Sequence, residues 1–265
     1  MASMISPGFE SDDFCWPSHP GGRVEARVSA VLRIGRLLAL MALLLLFVPP
    51  AQAQSKYLHT TWTTENGLPQ NSINAIVQTR DGYLWLGTHG GLARFDGVKF
   101  TVFETGNTPE LKSSRILSLF EDHAGALWIG TQYGGLTRYA NGTFKTFTTQ
   151  DGFPDAFVTS IAEDGEGNLF CTTNKGIVRF SAGRFAVALA VPATDAIRSR
   201  DGSVWFSGGQ KLIRYRGGKF SDFAIPTEAM PERISGLIEA EDGSIWLTMG
   251  RKLLRFYEGS FATLT

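Results

Sequence analysis

The stretch Asp81-Gly82-Tyr83-Leu84-Trp85-Leu86-Gly87-Thr88 decides the fold, because the chain keeps returning to it. It comes back as Gly125-Ala126-Leu127-Trp128-Ile129-Gly130-Thr131 and as Gly167-Asn168-Leu169-Phe170-Cys171-Thr172. Two further copies are Asp201-Gly202-Ser203-Val204-Trp205-Phe206-Ser207 and Asp242-Gly243-Ser244-Ile245-Trp246-Leu247-Thr248. The aromatic position steps by 43, 42, 35 and 41 residues. A period near 40 with a Gly/Trp signature in strand-rich units predicts an all-β chain, a β-propeller of four-stranded antiparallel blades. The question of function then moves to the loops around a central channel.

One repeat shows the grammar. Ile73, Ala75 and Val77 alternate with polar neighbours, the period-two pattern of a strand. Asp81-Gly82 reads as a type I′ hairpin turn, with positive φ at both central positions. Tyr83 to Thr88 returns, with Leu84 and Leu86 on one face and Tyr83 and Trp85 on the other. Gly90-Gly91 turns the chain into Leu92-Ala93-Arg94-Phe95, and Asp96-Gly97 into a fourth strand ending at Phe103. Five blades follow from this pattern, at 71–103, 114–147, 158–187, 193–223 and 234–265. The aromatic after each basic residue of Arg94, Arg138, Arg179, Arg214 and Arg255 is expected between sheets, and the arginines are read as structural.

The N-terminal part follows another logic. Arg33 and Arg36 precede a twelve-residue apolar run, Leu37 to Val48, and Ala51-Gln52-Ala53 closes it. That is a secretory signal peptide cut after Ala53, too short for a comfortable membrane span. Residues 1–30 are longer than such a signal needs and are assigned no structure. Residues 56–62, with Tyr57 and Trp62, match the fourth strand of a blade but precede the first one. Blade five has its own fourth strand, so residues 56–62 would complete some later blade. The five blades are therefore expected to be an incomplete ring of a larger, about seven-bladed propeller. A closed five-blade ring with a redundant strand is the alternative.

Composition narrows the chemistry. Leaving aside the four basic and four acidic residues of 1–53, the exported part holds 21 of each, so no basic stripe suits nucleic acid. Cys15 lies in the leader, and Cys171 alone can form no intrachain disulfide; a buried, inert thiol is expected. No G-x-S-x-G, H-E-x-x-H or G-x-x-x-x-G-K motif occurs. His59, His89 and His123 have no metal-ligand spacing, and Glu163 to Asn168 lacks the order of a calcium loop. No catalytic residue, metal or cofactor is expected.

The connectors Trp62-Thr63-Thr64-Glu65-Asn66-Gly67-Leu68-Pro69-Gln70-Asn71 and Thr148-Thr149-Gln150-Asp151-Gly152-Phe153-Pro154 are distinctive. With the blades at 81–97 and 125–139 they resemble the two-component regulator propeller family, over about residues 56–265. Blade three departs at Phe170-Cys171, and blade five loses its Gly-Thr ending at Thr248-Met249. The resemblance implies a periplasmic ligand-sensing domain of a membrane receptor. It implies further blades, a β-sandwich, a transmembrane helix and an output module such as a histidine kinase or diguanylate cyclase, with any dimerisation through those regions. A propeller lyase or hydrolase and a standalone exported protein-binding propeller are the competing readings.

Ligand contacts are expected from loops at one mouth of the channel. One set follows the Gly-Thr positions: His89, Gln132, Tyr133, Asn174 and Gln210. The other lies in the first connector: Trp62, Glu65, Asn66, Gln70 and Asn71. Trp62 and Tyr133 could stack on a sugar while amides bond its hydroxyls, which makes a glycan one candidate among small-molecule ligands. The competing view is that Asn66-Gly67 and Pro69 only shape a turn and that Trp62 is packed. Mass spectrometry of the exported chain should find Gln54 as its first residue; an N-terminus upstream of Arg33 would overturn the leader.

Overall fold

The computed structural model describes residues 60–226 and 234–264. The leader, residues 54–59, the segment 227–233 and Thr265 lie outside the described residues. Five antiparallel sheets follow one another along the chain, each in simple up-and-down order. Blade 1 is β1 (Ile73–Gln78), β2 (Leu84–Thr88), β3 (Leu92–Phe95) and β4 (Phe100–Phe103). Blade 2 is β5 (Ile116–Glu121), β6 (Leu127–Thr131), β7 (Leu136–Ala140) and β8 (Thr143–Phe147). Blade 3 is β9 (Val158–Glu163), β10 (Leu169–Thr173), β11 (Gly176–Ser181) and β12 (Arg184–Leu189). Blade 4 is β13 (Ala193–Arg198), β14 (Val204–Gly208), β15 (Lys211–Arg216) and β16 (Lys219–Ala224). Blade 5 is β17 (Ile234–Glu239), β18 (Ile245–Met249), β19 (Lys252–Tyr257) and β20 (Ser260–Leu264).

The first strand of each blade is innermost: β1, β5, β9, β13 and β17 pack side by side in that order. The core lies between successive sheets. Trp85, Leu92, Ile116, Leu127 and Ile129 fill the first junction, and Trp128, Leu136, Val158, Leu169 and Cys171 the second. Phe170, Ile177, Val204, Phe206 and Tyr215 fill the third, and Trp205, Leu212, Ile234, Leu247 and Phe256 the fourth. In each junction the second-strand aromatic of one blade meets the third-strand aromatic of the next. Ring centroids are 5.0 Å apart for Trp85–Tyr139, 5.6 Å for Trp128–Phe180, 4.7 Å for Phe170–Tyr215 and 5.5 Å for Trp205–Phe256. The arginines sit opposite those aromatics in register, Arg94 across from Trp85 and Arg214 across from Trp205. Their guanidinium carbons lie over indole rings at 5.6 Å and 5.2 Å, and Arg179 reaches over to donate to the Tyr215 hydroxyl at 3.1 Å. Burial drives the Cys171 thiol up, so it stays protonated and unreactive in the second junction.

The hairpins correct the sequence reading. The β1–β2 turn is not a two-residue type I′ loop. Gly82 N–H bonds the Thr79 carbonyl at 2.8 Å and Thr79 N–H bonds the Tyr83 carbonyl at 3.0 Å, and of Asp81 and Gly82 only Gly82 has positive φ, 90°. This is a longer loop closed by one left-handed glycine, and it recurs at Gly125, Gly167, Gly202 and Gly243. Type I′ geometry sits at the third turn instead. Asn141-Gly142, Ala182-Gly183, Gly217-Gly218 and Glu258-Gly259 all have positive φ at both positions. Glycine at the inner end of the second strand has a packing cause: a Cβ on Gly87 would meet Ile116 Cγ2 at 2.7 Å. Where later blades carry Thr172, Ser207 or Thr248 there, the hydroxyl pairs with Thr159, Thr194 or Ser235 on the neighbouring strand at 2.8, 2.9 and 2.9 Å.

Two sheet faces have no blade against them among the described residues. No comparable packing joins β17 to β1. On blade 5, Ile238 is 66% exposed, Leu253 38% and Leu264 46%, whereas Leu92, Leu136 and Leu212, at the place of Leu253, are fully buried. On blade 1, Ile76 is 60% exposed, although its counterpart Ile161 is buried. Of the expected strand 56–62, only Thr60–Trp62 are described, and they are not in a strand. Trp62 nevertheless packs on Phe95 and Phe100 at 5.0 and 6.4 Å, as Phe147 packs on their counterparts Phe180 and Phe185 at 6.4 and 5.0 Å in the second junction. Trp128→Ala should therefore cost about 3–5 kcal/mol. Trp246→Ala, on the uncovered face, should cost less than half as much, read from chemical denaturation of the same chain; equal losses would refute the open face.

Candidate functional site

Alternation of strands sorts all loops to two ends. The β1–β2 and β3–β4 turns of every blade lie at one end. The β2–β3 turns and the connectors between blades lie at the other, here the connector end. His89, Gln132, Tyr133, Asn174 and Gln210 stand in β2–β3 turns, and Trp62, Glu65, Asn66, Gln70 and Asn71 in the first connector, so all ten share the connector end.

Their local roles differ. Thr64–Asn66 form a single 3-10 turn with a capping box: Asn66 Oδ1 accepts from Thr63 N–H at 2.9 Å, and Gly67 closes it at φ 101°. Asn71 Oδ1 accepts from Thr64 N–H at 2.8 Å. These two carbonyl oxygens are thus engaged inside the connector, and Asp151 does the same work in the equivalent turn Thr149–Asp151. Glu65, His89, Asn174 and Gln210 are exposed and Gln70 half-buried, with Gln70 Oε1 itself enclosed and without a hydrogen-bond partner. Trp62 is 44% exposed over Phe95 and Phe100.

The β2–β3 turn of blade 2 stands apart. It is one residue longer than that of blade 1, and the extra length carries Tyr133, a non-glycine at φ 71° and 72% exposed. A tyrosine in that region is uncommon and costs about 1 kcal/mol or more. Its ring meets Phe157 from the following connector, 5.8 Å away and edge-on. Beside it Arg115 donates to Gln132 Oε1 at 3.2 Å, and Ser113 Oγ donates to the Gln132 carbonyl at 2.7 Å. The loop is pinned from below by Thr131. Its hydroxyl donates to the Gly135 carbonyl at 2.8 Å and accepts from Gly134 N–H at 3.0 Å, fully buried. Thr88 and Thr173 repeat this in blades 1 and 3, which explains the threonine of the repeat signature. Sequence reasoning named Tyr133 and Gln132 but missed Phe157, Arg115 and Ser113, which lie 24, 17 and 19 residues away along the chain from Tyr133, Gln132 and Gln132. Only the spatial adjacency of connector and turn brings them together.

Two concavities lie elsewhere, between blades at the opposite end. One of about 500 Å³ is lined by Arg200, Asp201, Trp205, Glu239, Asp242 and Tyr257, among others. One of about 330 Å³ occupies the corresponding place between blades 1 and 2, against Arg80, Asp81, Trp85, Glu121 and Tyr139. In the first cleft burial works against ionising Asp201, but the Ser203 hydroxyl and amide and Arg214 outweigh it and hold the carboxyl at about 2. Ser244 does the same for Asp242, with Arg255 donating to it at 2.6 Å. Asp201 and Asp242 are thus spent on Arg214 and Arg255. His89 is at the connector end and His123 at the turn end, so the strand length separates them by about 17 Å. No group of His, Cys, Asp and Glu with metal-binding geometry occurs among the described residues.

A family model for the two component regulator propeller matches residues 67–90 and 110–133, each spanning a connector, a first hairpin and the following turn. These are two component regulator propeller repeats. A histidine kinase P4 of Formosa agariphila is 42% identical over 60 residues, 23% of this chain but only 4% of that protein. The extracellular domain of a hybrid two-component system from B. thetaiotaomicron superposes with a TM-score of 0.62 at 18% identity, over 77% of this chain and 32% of that one. Virginiamycin B lyase from Staphylococcus aureus superposes at 0.59 with 19% identity, over 75% and 72%. At such identities the two structures establish the propeller fold alone. The match thus spans a small part of that kinase, and no helix among the described residues of this chain is long and apolar enough to cross a membrane.

Thr131→Val keeps the shape but removes the hydroxyl that serves the β2–β3 turn of blade 2. It should cost about 1–3 kcal/mol in thermal or chemical unfolding; an unchanged midpoint would show that water replaces the hydroxyl.

Proposed function

We propose that this regulator propeller is the input domain of a two-component-type receptor, exported to the periplasm, and that its connector end binds a small polar ligand such as a glycan. The observation that carries the reading is Tyr133: an aromatic ring held in a strained turn and left open to solvent beside Phe157, Arg115 and Gln132. Backbone strain at an exposed aromatic is a reason to suspect a ligand contact. A sugar would lay its apolar face on the ring and give its hydroxyls to the amide and guanidinium groups. The match to regulator repeats supports a signalling role, and the kinase relative supports an output module elsewhere in the whole protein. Signal transfer then requires that ligand favour one arrangement of blades, or of propeller and neighbour, over another.

The lyase reading needs an acid/base pair at one mouth of the channel. His89 and His123 stand at opposite ends, so they do not supply it. Thermal shift and calorimetry against panels of glycans, peptides and metabolites test the sensing reading. Tyr133→Ala should lower the affinity of a stabilising ligand at least tenfold while leaving the unliganded melting temperature nearly unchanged. No stabilisation by any member of broad panels would count against the proposal, and full affinity in Tyr133→Ala would move the site away from this loop.

A further inference from the structure

At the turn end, neighbouring blades are fastened by a repeated device. In the first junction Arg80 N–H donates to Glu121 Oε1 and Oε2 at 3.1 and 3.2 Å, and the Arg80 guanidinium donates to the His123 and Asp122 carbonyls at 2.7 and 3.2 Å. In the fourth, Arg200 N–H donates to Glu239 Oε2 at 2.9 Å and its guanidinium to the Glu241 carbonyl at 3.0 Å. A first-strand glutamate thus takes the amide of the preceding turn, while that turn's arginine reaches over the next. Arginine stays charged at every accessible pH, so these fasteners do not titrate through their cation.

The second junction keeps the glutamate and changes the cation. His123 N–H donates to Glu163 Oε2 at 2.9 Å, and His123 Nδ1 lies 2.6 Å from Glu163 Oε1. The Glu163 side chain is only 4% exposed. The His123 ring lies over the Gly167 turn so closely that a Cβ there would stand 3.0 Å from it. In the third junction Gly165 and Arg198 take the two places, and a single backbone bond from Gly165 N–H to the Gly202 carbonyl remains.

We propose that His123 and Glu163 form a pH-sensitive clasp between blades 2 and 3: as imidazolium and carboxylate they hold the two turns together, and deprotonation of His123 loosens this junction alone. The charged groups around the ring are few. Glu163 favours the cation, as does Asp122 beside it, whose carboxylate is bound to Ala126 N–H and Trp128 Nε1–H. Arg80, on the carbonyl of His123, opposes it. In the β9–β10 turn Asp164 bonds the Glu166 and Asn168 amides, and Glu166 faces Asn168. The hydrogen bond and charge of Glu163 raise the proton affinity of His123 above its ordinary value of 6.5. A group whose folded pKa is raised stabilises fully below the unfolded value and loses that contribution as pH rises through the folded one. Neutral His123 can keep an Nδ1–H bond to Glu163 but loses the charge that strengthens it, so the junction relaxes by degrees. The clasp is independent of what binds at the connector end.

NMR titration of the full chain between pH 5.5 and 9 reads the His123 ring directly, with His123→Arg identifying its signal by loss. The midpoint should lie above 6.5 and fall back toward it in Glu163→Gln. Exchange protection of the His123 amide, corrected for the intrinsic rate, should drop several-fold across that midpoint, while that of the Arg80 amide stays level. His123→Arg should abolish the drop at residue 123. A wild-type midpoint at or below 6.5, or parallel protection of the two amides across the titration, would overturn the proposal, and neither reading requires the Glu163 variant to fold.

Discussion

The aromatic contact across each blade junction is the interaction on which the rest depends. A four-stranded sheet this short cannot bury both faces by itself. Trp85 and Trp128 are each fixed from within their own blade, Trp128 Nε1 donating to Asp122 Oδ2 at 2.7 Å and Trp85 Nε1 to Thr79 Oγ1 at 3.2 Å, and each presents its ring to the third-strand aromatic of the next blade. Such pairs add about 0.5–1.5 kcal/mol beyond the area that they bury. Fixing one ring on each side fixes the distance between sheets, and everything at either end inherits that spacing. The clasps at the turn end and the juxtaposition of Tyr133 with Phe157 both need two blades held at this separation.

The sheets were legible in the sequence because alternation and turn glycines are local signals. The blade count followed from the period alone. What was misread is the hairpin at Asp81-Gly82. The same dipeptide suits a type I′ turn and a longer loop closed by a left-handed glycine, and only the pairing of Thr79 with Tyr83 chooses between them. The drift of the Gly-Thr signature looked like decay from the sequence. In space it is compensated, since Thr172, Ser207 and Thr248 each find a hydroxyl on the adjoining strand.

The functional ends were less legible, for a physical reason. Candidate side chains could be sorted to one mouth by counting strands, but their engagement depends on geometry that no single repeat encodes. Asn66 and Asn71 resemble ligand-binding amides in the sequence and are capping groups in the fold. Arg115 and Phe157 resemble connector filler and flank the most exposed aromatic. The turn-end glutamates, Glu121, Glu163 and Glu239, did carry a signal at the repeat spacing, yet a carboxylate closing an edge position reads as solvated until its partner blade is seen.

The junctions are also unequal in a way that shapes how such a domain could move. Where the third junction loses its glutamate to Arg198, the same strand gains Asp195, toward its other end, in place of the small residues Ala75, Ser118, Ser160 and Gly236. Asp195 accepts from Ser160 Oγ–H at 3.0 Å and from Leu237 N–H at 2.9 Å, tying the first strands of blades 3, 4 and 5 near the connector end. Burial raises the proton affinity of this carboxyl, so the tie is held at a cost in desolvation that three hydrogen bonds offset only in part. Blades 3 to 5 thus share an internal tie through Asp195, and blades 4 and 5 are fastened at their turns as well.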